Sequence, residues 1–176
     1  MRTRSGIAWT EGLIQNALYC HCAIKRHELI VPNSKVFGWE SDLISVSRAG
    51  TIHEFEIKVS RSDFKADAKK DKSAWMVDPF RISWGVKRSI ARPNHFYYVT
   101  PPDLVTLDEV PQYAGLIYAE YSPTGFALYC GTVTVVREAP RLHKDKISEW
   151  QKCQLHRATT SRYWRQRLGA DKEDAA

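Results

Sequence analysis

The chain has 176 residues, 43% of them hydrophobic and 26% charged. That is a globular composition, long enough to bury a core without disulfide or metal staples. The 26 Lys and Arg outnumber 20 Asp and Glu, a formal charge of +6, which suits a polyanionic partner without specifying one. Apolar runs of only a few residues exclude a spanning helix, and no apolar stretch of signal-peptide length follows the basic start Met1-Arg2-Thr3-Arg4. The expected setting is the cytoplasm, with no membrane partner and no organic cofactor.

Trp9 to His27 reads as a helix. Leu13, Ala17, Cys20 and Ile24 recur at three- and four-residue steps, and Thr10-Glu11 suits a capped start. Cys20-His21-Cys22 lacks the spacing and the second pair of a zinc site, so the four cysteines are expected to be ordinary thiols. Pro32-Asn33 reads as a break. Trp39 to Val46 and Thr51 to Val59 read as strands, joined into a hairpin by a turn at Ala49-Gly50. In the second strand Phe55, Ile57 and Val59 fall on one face, and Glu54, Glu56 and Lys58 on the other.

Ser60 to Trp75 reads as a charged helix with Phe64, Ala68 and Trp75 turned inward. Residues 78–93 show no period and read as a loop. His95 to Thr100 is a strand ended by Pro101-Pro102, and Leu104 to Val110 is a short helical turn. Leu116 to Tyr121, Phe126 to Cys130 and Thr132 to Arg137 read as strands, with a turn at Ser122 to Gly125. Lys144 to Leu168 reads as a C-terminal helix followed by a polar tail. The order of elements predicts a mixed α/β domain with a central sheet.

The informative chemistry lies in the hairpin. If its strands pair as the turn suggests, Asp42 lies near Glu56. Two converging carboxylates make a hard-oxygen site suited to Mg²⁺ or Mn²⁺. Lys58, two residues on, projects to the same side and can orient a water or offset phosphate charge. The plain alternative is an exposed strand with Glu and Lys on its solvent face.

Asp42 followed by Glu56-Ile57-Lys58 on the next strand resembles the core motif of the PD-(D/E)XK nuclease superfamily. The element order resembles the αβββαβ core of that restriction-endonuclease-like fold. Within the superfamily the chain is most similar to bacterial MmcB-like proteins of DNA repair, through residues 56–67, 96–105, 113–117 and 135–142. The resemblance spans residues 8 to 145. It implies a nuclease-like domain over 1–142, a mixed central sheet flanked by helices with a β-rich extension. Residues 143–176 would be a basic helix and tail packed on the same domain. It further implies metal ligation by Asp42, Glu56 and the main-chain carbonyl of Ile57, with Mg²⁺ the expected ion and Mn²⁺ a substitute. Lys58 would be catalytic, and an acid on the first helix would assist. Glu11 matches that acid, with Glu28 as a competitor. Ser41 stands where the motif often has proline, which leaves Glu40 beside Asp42 as a candidate ligand. Register with the motif favours Asp42.

Arg61 and Lys65 open the helix after the motif, where a guanidinium can clamp phosphate. From Arg137 to Lys172 ten Lys and Arg face four acids, with Trp150, Tyr163 and Trp164 interleaved. That pattern suits a nucleic acid, through Arg162 and Arg165 among others. The expected activity is a metal-dependent DNA endonuclease hydrolysing phosphodiester bonds in repair, recombination or mobile-element processing. DNA is the expected partner, together with a second copy of the chain if both strands are cut at once. The alternative is a catalytically inactive nucleic-acid-binding or adaptor protein on the same fold.

Overall fold

The computed structural model describes residues 8–37, 39–67, 76, 92–120 and 131–169. In chain order the elements are α1 (Glu11–Ile24), β1 (Leu29–Ser34), β2 (Ser41–Val46), β3 (Ile52–Ile57) and α2 (Arg61–Asp67). They continue with β4 (His95–Thr100), a 3₁₀ turn (Leu107–Glu109), β5 (Ala114–Glu120), β6 (Thr132–Arg137) and α3 (Glu149–Leu168). The six strands form one mixed sheet in the order β1-β2-β3-β4-β5-β6. β1, β2 and β3 are an antiparallel meander, β4 and β5 run parallel to β3, and β6 turns back antiparallel. The sequence reading of a mixed α/β domain with helices flanking a central sheet holds. No helix among the described residues is long and apolar enough to cross a membrane.

Strand alternation sends one set of side chains to each face. Leu43, Phe55, Ile57, Tyr97, Val99 and Ile117 pack against Ile14, Leu18 and Cys22 of α1. On the other face Phe96, Tyr98 and Leu116 meet Phe64 of α2. Ile44, Val46 and Ile52 meet Ile147 and Leu155 of the C-terminal segment. β4 is buried at five consecutive positions, as a strand covered on both faces must be.

Four local expectations are corrected. The buried stripe of α1 is Ile14, Ala17, Leu18 and Cys22, while Ile24 is 82% exposed. Two apolar stripes competed in that helix, and the larger side chains at four-residue steps took the sheet. Pro32-Asn33 does not break the chain but lies inside β1. An edge strand tolerates a proline because one of its sides pairs with nothing, and Asn33 adopts a φ of 46°. The C-terminal helix begins at Glu149 rather than Lys144. Residues before it are held extended: Asn94 Nδ2 donates to the carbonyls of His143 and Asp145 at 3.0 and 2.8 Å, and Ile147 N donates to Gly50 O at 2.9 Å. Ser148 then caps the helix, accepting from Gln151 N at 3.2 Å. The cysteines are not all thiols either, since Cys22 and Cys153 are free but Cys20 is disulfide-bonded. The strand expected over 126–130 and most of the loop expected over 78–93 lie outside the described residues.

Two glycines are required by geometry. Gly50 turns the β2–β3 hairpin with a φ of 79°. A Cβ on Gly115 would stand 2.6 Å from Tyr97 Cε1 and 2.7 Å from Ala139 N, and that backbone nitrogen cannot swing aside. Gly115→Ala is therefore expected to lower stability by about 1–3 kcal/mol in urea unfolding, whereas an unchanged midpoint would mean that β4 and β5 slide apart freely.

Candidate functional site

The β2–β3 ladder pairs Ile44 with Glu54 and Leu43 with Phe55. The next step of that register sets Asp42 opposite Glu56, on the sheet face that carries α2. Asp42 Oδ2 accepts the Ile57 N–H at 2.6 Å, which fixes the carboxylate at the end of β3. Glu56 and Lys58 are each only 3% exposed. The Glu-x-Lys face of β3 is therefore not a solvated strand face.

Lys58 is held by three carboxylates. Its Nζ lies 2.8 Å from Glu56 Oε1, 3.4 Å from Asp67 Oδ1 and 3.8 Å from Asp63 Oδ1. Asp63 and Asp67 both come from α2, one turn apart. Ser60 caps this helix, accepting from Asp63 N at 3.2 Å. Tyr98 on β4 donates its hydroxyl to Asp67 Oδ2 at 3.0 Å. Burial pulls the Lys58 ammonium toward neutrality, but Glu56, Asp67 and Asp63 outweigh it and raise its pKa above the ordinary lysine value. Lys58 is a cation at neutral pH.

Asp42 behaves in the opposite sense. Burial first, and then the nearby Glu56 charge, push its carboxyl up to about 7, against the lowering influence of the Ile57 N–H and of Lys58. Even with the Lys58 ammonium nearby, the two buried acids resist joint ionisation. A divalent ion between them would remove that conflict, so the donor chemistry of Asp42, Glu56 and a main-chain carbonyl fits Mg²⁺ or Mn²⁺. Among the described residues no three His, Cys, Asp or Glu side chains gather as a ready metal cluster. Main-chain and water oxygens would have to complete the coordination, as is usual for Mg²⁺.

Glu11 opens α1 at the rim of this group. Burial and the charges of Glu40 and Glu56 raise its pKa. Gln15, one turn later, ties the rim together by donating to Glu11 Oε1 at 2.8 Å and to Asp42 O at 2.9 Å, and it meets the Asn33 amide at 2.7 Å. Glu28 sits beside Leu29, which pairs with Val46 at the opposite end of the ladder from Asp42. Glu40 pairs with Lys35 at 3.3 Å, with both side chains exposed. Glu11 and Asp42 both feel the charge of Glu56.

Arg61 donates to Leu104 O at 2.8 Å and forks onto the Glu109 carboxylate, so its guanidinium locks α2 to the 3₁₀ turn. Arg162 donates to the carbonyls of Pro32 and Asn33 and clips α3 to the edge strand. Lys65 and Arg165 are exposed. Sequence reasoning missed Gln15, Asn33, Asp67 and Tyr98. Only Asp67 left a signal: it lies three residues after the inward Phe64, so an acid falls on the buried face of an amphipathic helix.

No family model matches the chain, and no curated protein matches it. Among solved structures it is similar to the SPO1766 protein of unknown function from Silicibacter pomeroyi, with a TM-score of 0.61 and 18% identity over 95% of this chain and 96% of that one. At that identity the likeness concerns the fold alone.

Proposed function

We propose that the protein is a divalent-metal-dependent DNA endonuclease built on a PD-(D/E)XK core of the MmcB-like type, acting in repair, recombination or mobile-element processing. The observation that carries this reading is the Asp42 carboxylate held on the Ile57 N–H, one register step beyond the Leu43–Phe55 pair, at the end of β3 where Glu56 and the buried cation of Lys58 lie. The strand order adds support. A helix, an antiparallel three-strand meander, a second helix and a fourth strand parallel to the third is the order that an αβββαβ core requires.

Asp42, Glu56 and the Ile57 carbonyl would hold Mg²⁺ or Mn²⁺. When bound, the ion supplies Lewis-acid polarisation of a phosphoryl oxygen and a more acidic water. The chain's own groups do the rest. The Ile57 N–H aims the Asp42 carboxylate. Lys58 stays an ammonium under three carboxylates, so it orients water and stabilises negative charge on the phosphate rather than taking a proton. Glu11, at the rim, can accept a hydrogen bond or a proton from water.

Titration calorimetry with Mn²⁺ tests the site. The wild type is expected to bind and Asp42→Asn to give no binding heat. Equal binding by the variant would remove Asp42 from the metal site. A second reading, a non-catalytic nucleic-acid-binding or adaptor protein, is favoured by one observation. The ion pairs of Lys58 with Asp67 and Asp63 join the end of β3 to α2, as a purely structural device would. Salt-sensitive DNA binding without cleavage by the wild type, retained in Asp42→Asn, would select it.

A further inference from the structure

Helix α3 carries a second surface that the catalytic reading does not use. Its inward side is Gln151, Leu155, Ala158 and Arg162, spaced at three and four residues. On the outward side Trp150, Arg157 and Trp164 recur at seven-residue steps, and Leu168 follows four later. Trp150, Trp164 and Leu168 are 59%, 51% and 76% exposed. Large apolar side chains lined up along one exposed helix face, unlike a single exposed ring, mark a surface with an occupant. Tyr163 packs edge-on against Trp164, with ring centroids 5.5 Å apart, which steadies that ring.

We infer that the outward face of α3 is a stacking platform for unpaired bases, so the protein engages a single-stranded stretch of nucleic acid there. Two observations select this occupant. Apart from the inward Arg162, the helix holds four Lys and Arg against one acid, Glu149, which favours a polyanion. Arg157 lies midway between the two indoles, so an apolar partner helix would have to bury its charge, and a second copy would bring like charges together. Trp150 and Trp164 are about 21 Å apart along the axis at 1.5 Å per residue, so a strand touching both spans several nucleotides.

The inference deepens the nucleic-acid part of the proposed function but does not depend on cleavage, so its test is run in EDTA. Quenching of tryptophan fluorescence is measured with oligo(dT) and with a blunt duplex of equal length, across a salt series. The wild type is expected to bind oligo(dT) about tenfold more tightly than the duplex. Joint Trp150→Ala and Trp164→Ala substitution is expected to weaken oligo(dT) binding by about 30-fold and to change duplex binding little, with an unaltered circular dichroism spectrum. In the variant, anisotropy of a labelled oligo(dT) replaces the lost quenching. Arg157→Gln is expected to reduce the salt slope by about 0.7. Oligo(dT) binding unchanged in the double tryptophan variant would overturn the platform. So would a concentration-dependent dimer that the double variant abolishes, because the face would then belong to a second copy. A wild type that cuts duplex DNA yet fails this test loses the platform and keeps the nuclease reading.

Discussion

Lys58→Met is expected to lower folding stability by about 3–5 kcal/mol and to abolish metal-dependent cleavage. The Lys58 side chain is 4% exposed and lies within 4 Å of Glu56, Asp63 and Asp67. Methionine fills much the same volume but removes the Lys58 ammonium from beside the buried Glu56 and Asp67. One of these acids must then take up a proton or draw in water, and the folded state bears that cost. Urea unfolding at pH 7 measures it. A loss below about 1 kcal/mol would show that the network is solvated like a surface pair. Asp42→Asn is the gentler probe of the same site. An asparagine oxygen can still accept the Ile57 N–H, and the repulsion with Glu56 disappears. Its stability without metal is expected to stay within about 1 kcal/mol of wild type or to rise, so lost activity in this variant is not lost folding.

The second large effect concerns the other sheet face. His53 on β3 stacks on His95 with centroids 5.0 Å apart, and lies 5.0 Å from the ring of His27. Phe55 and Tyr97 flank it. Burial first, then His27, His95, Lys25 and His21, push the His53 pKa down from 6.5 to about 3. The unfolded chain takes up this proton near pH 6.5 and the folded chain does not. The His53 contribution to stability is therefore whole above pH 6.5 and is lost as pH falls toward 3. Asp42, raised to about 7, works in the opposite sense, so the comparison must isolate His53. The stability difference between His53→Phe and wild type is expected to swing toward the variant by about 2–3 kcal/mol between pH 7 and pH 4. Parallel stability curves for the two proteins would show that the imidazole is charged within the stack.

The sequence displayed the hairpin most clearly. Gly50 marks the turn, and the alternation of Phe55 and Ile57 with Glu54, Glu56 and Lys58 carries through to opposite sheet faces. The motif residues were legible for the same reason: a two-residue period places Glu56 and Lys58 together, and the turn brings Asp42 opposite. Burial of that face was not legible, because α2 covers it through long-range packing that no local period encodes. β1 was hidden by Pro32-Asn33, whose local preference is overruled by an edge position. The face of α1 was ambiguous between two apolar stripes, and only contact with Leu43 and Phe55 decides it. The intramolecular partners of Arg61 and Arg162 were not legible, because Glu109 and the carbonyls of Pro32 and Asn33 are distant from them in the chain.

Cleavage itself tests the central claim most directly. Wild type and Asp42→Asn are incubated with supercoiled plasmid, linear duplex, single-stranded and branched DNA, in Mg²⁺, in Mn²⁺ and in EDTA. Metal-dependent cutting of at least one substrate by the wild type, lost in EDTA and in Asp42→Asn, is the predicted result. Failure of the folded wild type to cut any of these substrates in either metal, or equal cutting by Asp42→Asn, would contradict it.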